Sequence, residues 1–287
     1  MKLFRLLPFA VVAWLFFWSS STTLTSCTSD VNDTIIIRDT ITVTDTVTDT
    51  VTVKDSSCHL NKGLIAYFNF NGGNLHDSSG FGNNIIFNSA VKTTDRFGRA
   101  NNAYLFNGTS SYMRVAHSAS LNPSNITIMS IVKVNGFYSG ACHGNNIITK
   151  GDDKGNGFYG LRFSDNADCA LPVDTSTQMF YGAYGNGIFN TSGGSAAVAD
   201  SVFVRTGQWY TVVYTYDGQD SRLYINGVLK TVRHDVATFT ANTADIYLGQ
   251  TGSALHPYWL NGVIDEVRIY NRAISASEVS MLSALQN

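Results

Sequence analysis

From Gly63 to the C-terminus, short runs of β-branched and aromatic residues recur, separated by turns rich in glycine, asparagine and aspartate. Runs this short with turns this frequent predict an all-β fold, a two-sheet antiparallel β-sandwich. The expected strands are Leu64–Phe70, Asn84–Asn88, Ala103–Asn107, Tyr112–Val115, Ile126–Val134, Asn146–Lys150 and Gly157–Phe163. They continue with Gln178–Tyr184, Trp209–Tyr216, Arg222–Ile225, Val228–Val232, Asp245–Leu248 and Asn261–Tyr270. Two hairpins show their turn chemistry. Asp217-Gly218 begins the turn between Tyr216 and Arg222, and Asn226-Gly227 is a type I′ dipeptide. Trp209–Tyr216 is apolar on both alternating faces, which suits the middle of a sandwich. One short C-terminal helix is expected over Ser275–Leu285, with Ser275 as its cap, Glu278 three residues on, and Val279, Leu282 and Leu285 on one face.

Residues 1–26 stand apart from this pattern. Lys2 and Arg5 precede an apolar run, Leu6–Trp18, of 13 residues. That is shorter than the ~20 a bilayer-spanning helix needs, so the segment reads as a signal peptide. Leu24-Thr25-Ser26-Cys27 resembles the bacterial lipobox, whose cysteine is lipidated and becomes the first residue of the mature chain. The alternative is an ordinary secretory signal or an uncleaved anchor. Cys27 is the expected lipidation site. Thr28 in place of an aspartate favours an outer-membrane lipoprotein, on the cell surface or the periplasmic face, held to the membrane by its lipid alone. Beyond the inner membrane disulfides are permitted. Cys142–Cys169 is the expected pair and Cys58 is left over, although connectivity does not follow from sequence.

Residues 27–57 form a second region, a stalk. Six aspartates stand there against Arg38 and Lys54, whereas residues 58–287 carry 15 acidic and 15 basic groups. Threonine occupies every even position from Thr40 to Thr52, alternating with isoleucine, valine and aspartate. Period two with β-branched residues means an extended chain. A lone strand is unstable in water, so it either pairs with something or stays extended as a spacer. Thr34, Thr40, Thr46 and Thr50 each sit in an Asp-Thr-aliphatic triplet that resembles the O-glycosylation site of Bacteroidetes. Sugars there would hide a strand edge that otherwise invites aggregation.

The third region, residues 58–287, resembles a family. Gly63-Leu-Ile-Ala-Tyr-Phe-Asn-Phe70 with Leu75-His-Asp-Ser-Ser-Gly80 looks like the opening of a laminin-G-like, concanavalin A-like lectin/glucanase jelly roll. Tyr104–Tyr112, then Gln208–Asp217 with Leu223–Gly227, and last Asn261–Arg272 resemble its later motifs in order. The resemblance implies a jelly-roll domain that binds a glycan or a surface protein. Ala170–Arg205 matches none of these motifs and is expected as loops on the sandwich.

Chemistry narrows the function further. The near-neutral charge, −2 overall, does not suit a nucleic-acid binder. Glutamate occurs only at Glu266 and Glu278. Retaining glycoside hydrolysis needs two carboxylates about 5 Å apart, and adjacent Asp265 and Glu266 would face opposite sides of a strand. No hydrolase, zinc-protease or phosphate-loop motif is present, and each of the six histidines reads as a loop hydrogen-bonder. A non-catalytic module is expected, with a divergent glycosidase ranked last.

Asp77, among Ser78, Ser79, Asn83 and Asn84, is a candidate ligand for a structural Ca²⁺, the one cofactor expected. The resemblance places such a site where this loop meets the last strand, near Asp265. The alternative is an Asx-turn from Asp77 to the backbone of Ser79. Asp152-Asp153 reads as a hairpin tip before a metal site. For sugar stacking, the candidate exposed aromatics are Tyr138 with Phe137 near His143, Tyr181 and Tyr184 between glycines, and Tyr258-Trp259 behind His256-Pro257. The loop Gly182–Ser195 is expected to line such a site.

Overall fold

In a computed structural model of the chain, the described residues are 34–36, 50–52, 60–165, 169, 171–187 and 195–284. The chain divides into two compact units, Met1–Asp55 and Ser56–Asn287. In the first, β1 (Thr34–Ile36) and β2 (Thr50–Thr52) pair antiparallel, with Thr34 opposite Thr52. Two of the expected glycosylation threonines, Thr34 and Thr50, lie in these strands. Cys27, Cys58, Thr40 and Thr46 lie outside the described residues.

The second unit is the antiparallel two-sheet sandwich that the strand spacing predicts. One sheet has seven strands, in the order β12 (Ser195–Phe203), β11 (Met179–Gly185), β10 (Phe158–Ser164), β9 (Asn145–Lys150), β16 (Ile246–Leu248), β7 (Met113–Val115), β4 (Ile85–Asn88). The other runs β15 (Val228–His234), β14 (Asp220–Ile225), β13 (Trp209–Tyr216), β8 (Ile126–Gly136), β17 (Asn261–Tyr270), β6 (Ala103–Asn107), β5 (Val91–Thr93). Its eighth strand, β3 (Leu64–Phe68), also pairs with β17. Two strands had no counterpart in the sequence reading, β5 and β12. The second corrects the reading of Ala170–Arg205 as loops, a span in which only Gln178–Tyr184, the counterpart of β11, is expected as strand. Gly182–Gly185 likewise belongs to β11 and is not loop.

The reason for each placement is local. Asn226 and Gly227 have φ of 51° and 79°, the two left-handed residues of the expected type I′ turn, and close β14 onto β15. Buried along its length, β13 runs between β8 and β14. Aromatic and aliphatic side chains from both sheets fill the space between them, among them Phe68, Phe106, Phe163 and Tyr214. The outer face of the eight-stranded sheet has a second apolar layer, in which Met129, Ile131, Val213 and Tyr270 meet Val279 and Leu282 of the C-terminal helix, Ala276–Ala284. That helix has the predicted capping box. Ser275 Oγ accepts from Glu278 N at 3.2 Å, and Ser275 N donates back to Glu278 Oε2 at 2.7 Å. The helix therefore closes one outer face of the sandwich.

Candidate ligand-binding cleft

On the seven-stranded sheet the outer face is built from a cross-strand row. The register places Phe87 (β4) opposite Arg114 (β7), Arg114 opposite Tyr247 (β16), Tyr247 opposite Thr149 (β9), and Thr149 opposite Gly160 (β10). Their neighbours along each strand, such as Val115, Ile246, Ile148 and Leu161, point into the core. The row is thus the solvent side of the pleat. Over it lies a cleft of about 490 Å³, lined by Thr149, Phe158, Arg162 and Tyr247 from the strands. Loop residues complete it, notably Asp153 in the β9–β10 turn, Asp245 before β16, and Tyr258 between β16 and β17.

Arg162 organises one side. Its guanidinium carbon lies 4.9 Å from the Tyr181 ring centroid and 5.6 Å from that of Tyr258, and Nη1 is 3.0 Å from Asp153 Oδ2. The planar cation is held by two aromatic faces and a carboxylate, a geometry that lysine does not reproduce. Burial raises the pKa of both tyrosine hydroxyls above the ordinary value, and the Arg162 charge acts against this. Tyr258 is further fixed by the backbone, since Asn146 N donates to its carbonyl at 2.8 Å. Gly144 packs against its ring so closely that a Cβ there would lie 2.7 Å from Tyr258 Cγ. Asp245 belongs to another ion pair, with Arg114 Nη1 at 2.9 Å, and accepts from His117 N at 2.8 Å. Thr149 Oγ1 is buried among the lining residues without a hydrogen-bond partner. A buried hydroxyl left unpaired costs the fold free energy.

The predicted aromatics divide. Tyr258 lines the cleft, and Tyr181 reaches its edge through Arg162. Tyr138 is half-buried nearby, its amide donating to Asn145 Oδ1 at 2.7 Å. Trp259 does not line the cleft and lies 6.3 Å, ring to ring, from Tyr112. Tyr184 requires correction. It is 1% exposed, its ring stacks between Tyr216 and Phe239, and its hydroxyl donates to Pro123 O at 2.7 Å, so it is core. His143 is corrected too. It is 2% exposed, with Nδ1 3.0 Å from Asp165 Oδ2, so it keeps the role of a loop hydrogen-bonder and does not line the cleft. Phe137 packs edge-on against the core ring of Phe163. Beside His143, Cys142 is bonded to Cys169, the expected pair.

Arg162, Thr149, Phe158 and Tyr247 were not singled out from sequence. The alternation Phe158, Gly160, Arg162 against Tyr159, Leu161, Phe163 does carry the signal, because one parity is wholly apolar.

Asp77 and Asp265 are both engaged by nitrogen and hydroxyl donors. Asp77 Oδ1 accepts from Tyr67 N and Ser79 N, each at 2.9 Å, and Oδ2 from Ser79 Oγ at 2.8 Å and Asn83 N at 2.9 Å. The bond to Ser79 N is the Asx-turn alternative. Asp265 Oδ2 accepts from Arg96, at 2.7 Å from Nη1 and 3.2 Å from the backbone N. Four donors occupy the acceptor positions of Asp77, so a cation there has to displace one of them, whereas Asp265 is engaged by Arg96 through Oδ2 alone. Among the described residues no cluster of three or more His, Cys, Asp or Glu side chains is placed to hold a metal.

A two-sheet sandwich with one outer face closed by a helix and the other carrying a polar-aromatic cleft defines a lectin-like class of fold. The chain belongs to the concanavalin A-like lectin/glucanase superfamily, whose laminin-G family model matches residues 107–280. Among solved structures it is similar to domain 4 of AbnA, a GH43 extracellular arabinanase from Geobacillus stearothermophilus, in complex with arabinotriose. That match has 22% identity and a TM-score of 0.55, and covers 77% of this chain and 98% of the other. The binding domain of Paraclostridial Mosquitocidal Protein 1 matches at 17% identity and TM-score 0.57, over 78% of this chain and 52% of that one. The binding domain of Botulinum Neurotoxin DC in complex with SialylT matches at 11% identity and TM-score 0.56, over 79% and 52%. The chain therefore spans about half of the toxin binding domains. At these identities the likeness is one of fold. No curated protein matches the chain.

Proposed function

We propose that the protein is a non-catalytic binding module that recognises carbohydrate. The observation that carries this reading is the cleft itself, where an aromatic-clamped arginine, two ion-paired carboxylates and the ring of Tyr247 border a space of about 490 Å³. Sugars offer both things such a site uses, hydroxyl groups in both hydrogen-bonding roles and apolar ring faces. The arabinanase domain holds arabinotriose and one toxin domain is complexed with SialylT, which supports carbohydrate as the ligand class on this fold. A protein-binding adhesion or scaffold domain is the second reading. Hydrolysis is ranked last, since of the three lining carboxylates Asp153 and Asp245 are each paired with a separate arginine, which among the described residues leaves Asp152 alone outside an ion pair.

The module is proposed to stand on the residue 27–57 stalk, lipidated at Cys27 in the outer membrane and glycosylated on its Asp-Thr-aliphatic threonines. Among the described residues no helix is long and apolar enough to cross a membrane. Intact mass of protein from its native host, showing a diacylglyceryl group and hexoses, supports this placement, and their absence overturns it.

A glycan array probed with the protein tests the binding reading. Hits that weaken at least tenfold in Arg162→Lys, with melting temperature preserved, are the expected result. Silence of the folded wild-type protein shifts the reading to a protein partner, and release of reducing sugar from polysaccharides overturns the non-catalytic assignment.

A further inference from the structure

The cleft does not end at Tyr247. The same cross-strand row continues through Arg114 to Phe87, and its side chains stay on the solvent side of the sheet. Phe87, 39% exposed, stacks on Tyr112 with ring centroids 4.6 Å apart. The Tyr112 ring lies 6.1 Å from that of Tyr247 and 6.3 Å from that of Trp259. Tyr247 is therefore shared, lining the cleft on one side and touching an aromatic strip on the other. Three strand spacings of about 4.8 Å place Phe87 roughly 14 Å from Thr149.

Charge along this path is balanced. Arg162 is paired with Asp153 and Arg114 with Asp245, and the lining adds one further charge of each sign, Asp152 and Lys154, so neither sign is in excess around the row. An anionic chain would meet three carboxylates, Asp152, Asp153 and Asp245, with both guanidinium groups already paired and Lys154 the one further cation of the lining. Half-exposed rings in line with a polar cleft offer successive apolar faces separated by hydrogen-bonding groups. That is the alternation presented by a chain of neutral sugars.

Resting on the carbohydrate reading above, we infer that the ligand is a linear neutral oligosaccharide, bound lengthwise across the strands from Thr149 to Phe87. The cleft holds one end of the bound stretch and the Tyr247–Tyr112–Phe87 strip carries the sugars that follow. Affinity then depends on chain length, and the distal part of that dependence belongs to Phe87.

The test uses the full chain and calorimetric titration with ladders of one to six residues of arabinan, xylan, β-glucan and mannan oligosaccharides. For the series that binds, affinity is expected to rise at least tenfold from disaccharide to hexasaccharide. Phe87→Ala should remove most of that rise while leaving the disaccharide within twofold, and Phe87→Tyr should restore it. Wild-type affinity that is flat with length overturns the lengthwise reading and leaves the carbohydrate reading standing. Hexasaccharide binding that Phe87→Ala does not change also overturns it. A folded wild-type protein that binds glycans on the array but no member of any ladder overturns the neutral-chain reading alone, and silence on both array and ladders overturns both.

Discussion

Arg96 and Asp265, 169 positions apart, form a 2.7 Å ion pair where the edge of β17 passes from β6 to β3. Asp265 sits at a register shift between Ile264 and Glu266, the extra residue of a β-bulge against β8. The bulge brings both carboxylates to one guanidinium, with Glu266 Oε2 3.8 Å from Arg96 Nη2. Adjacent strand residues are thus not on opposite sides here, which corrects the alternation argument applied to this pair. Burial raises the pKa of Asp265, and the Arg96 charge and hydrogen bonds partly offset this. Arg96→Met should therefore destabilise the fold by about 3 kcal/mol, since it strands a buried carboxylate. Adding Asp265→Asn should recover much of that loss. Denaturant unfolding of the two variants measures it, and equal losses would show that the pair is not coupled.

The same donors set the expectation for chelation. Asp77 has four donors on its two oxygens and Asp265 has Arg96. EDTA is expected to leave the melting temperature unchanged. A fall that Ca²⁺ reverses would show that a cation takes the place of these donors, as the family resemblance implies.

Acid stability should depend on the helix cap. Arg272 binds both oxygens of Glu278, at 2.9 and 2.5 Å, and Ser275 N donates to one of them. Burial acts against the charged form, but these hydrogen bonds and the Arg272 charge outweigh it and bring Glu278 from 4.5 down to about 2. Because the folded value is the lower one, the stabilisation is present above pH 4.5 and is lost as pH falls from there toward 2. Glu278→Gln should cost about 2 kcal/mol at pH 7 and nearly nothing at pH 2. Urea midpoints across that range give the comparison, and a loss independent of pH would assign the cost to packing.

What was legible in the sequence follows from where each signal resides. Strand β13, the Asn226-Gly227 turn and the Ser275 cap are fixed by patterns within a few residues, so the residues alone locate them. Tyr181 and Tyr184 illustrate the harder case. They lie three apart in one strand and so face opposite sides, and only the parity of the flanking apolar Phe180 tells which is inward. Phe180 and Tyr184 share the core face. The cleft was hidden for another reason, since Thr149, Arg162 and Tyr247 meet through register across three strands. Strand β12 was missed because Ser195–Phe203 interrupts its apolar residues with serine and aspartate. The bulge at Asp265 has no local sequence mark at all.

Lys150 gives the last prediction and links stability to the cleft floor. It follows Thr149 on β9 but points to the other face, fully buried, and its ammonium reaches Asn122 Oδ1 at 3.0 Å, Asn242 O at 3.2 Å and Asn242 Oδ1. Neutral oxygens hold the charge without a carboxylate in contact. Burial therefore pushes the amine down to about 8, with Asp245 acting weakly against it. The unfolded chain, near 10.5, binds the proton more tightly, so raising pH from 8 to 10.5 removes a cost that only the folded state bears. Stability should rise over that window by up to about 3 kcal/mol relative to Lys150→Met, which has no proton to lose. Unfolding free energies of both proteins between pH 7 and 11 isolate the contribution, because other groups titrate alike in the two. Parallel curves would show that the ammonium is as well solvated in the fold as in water.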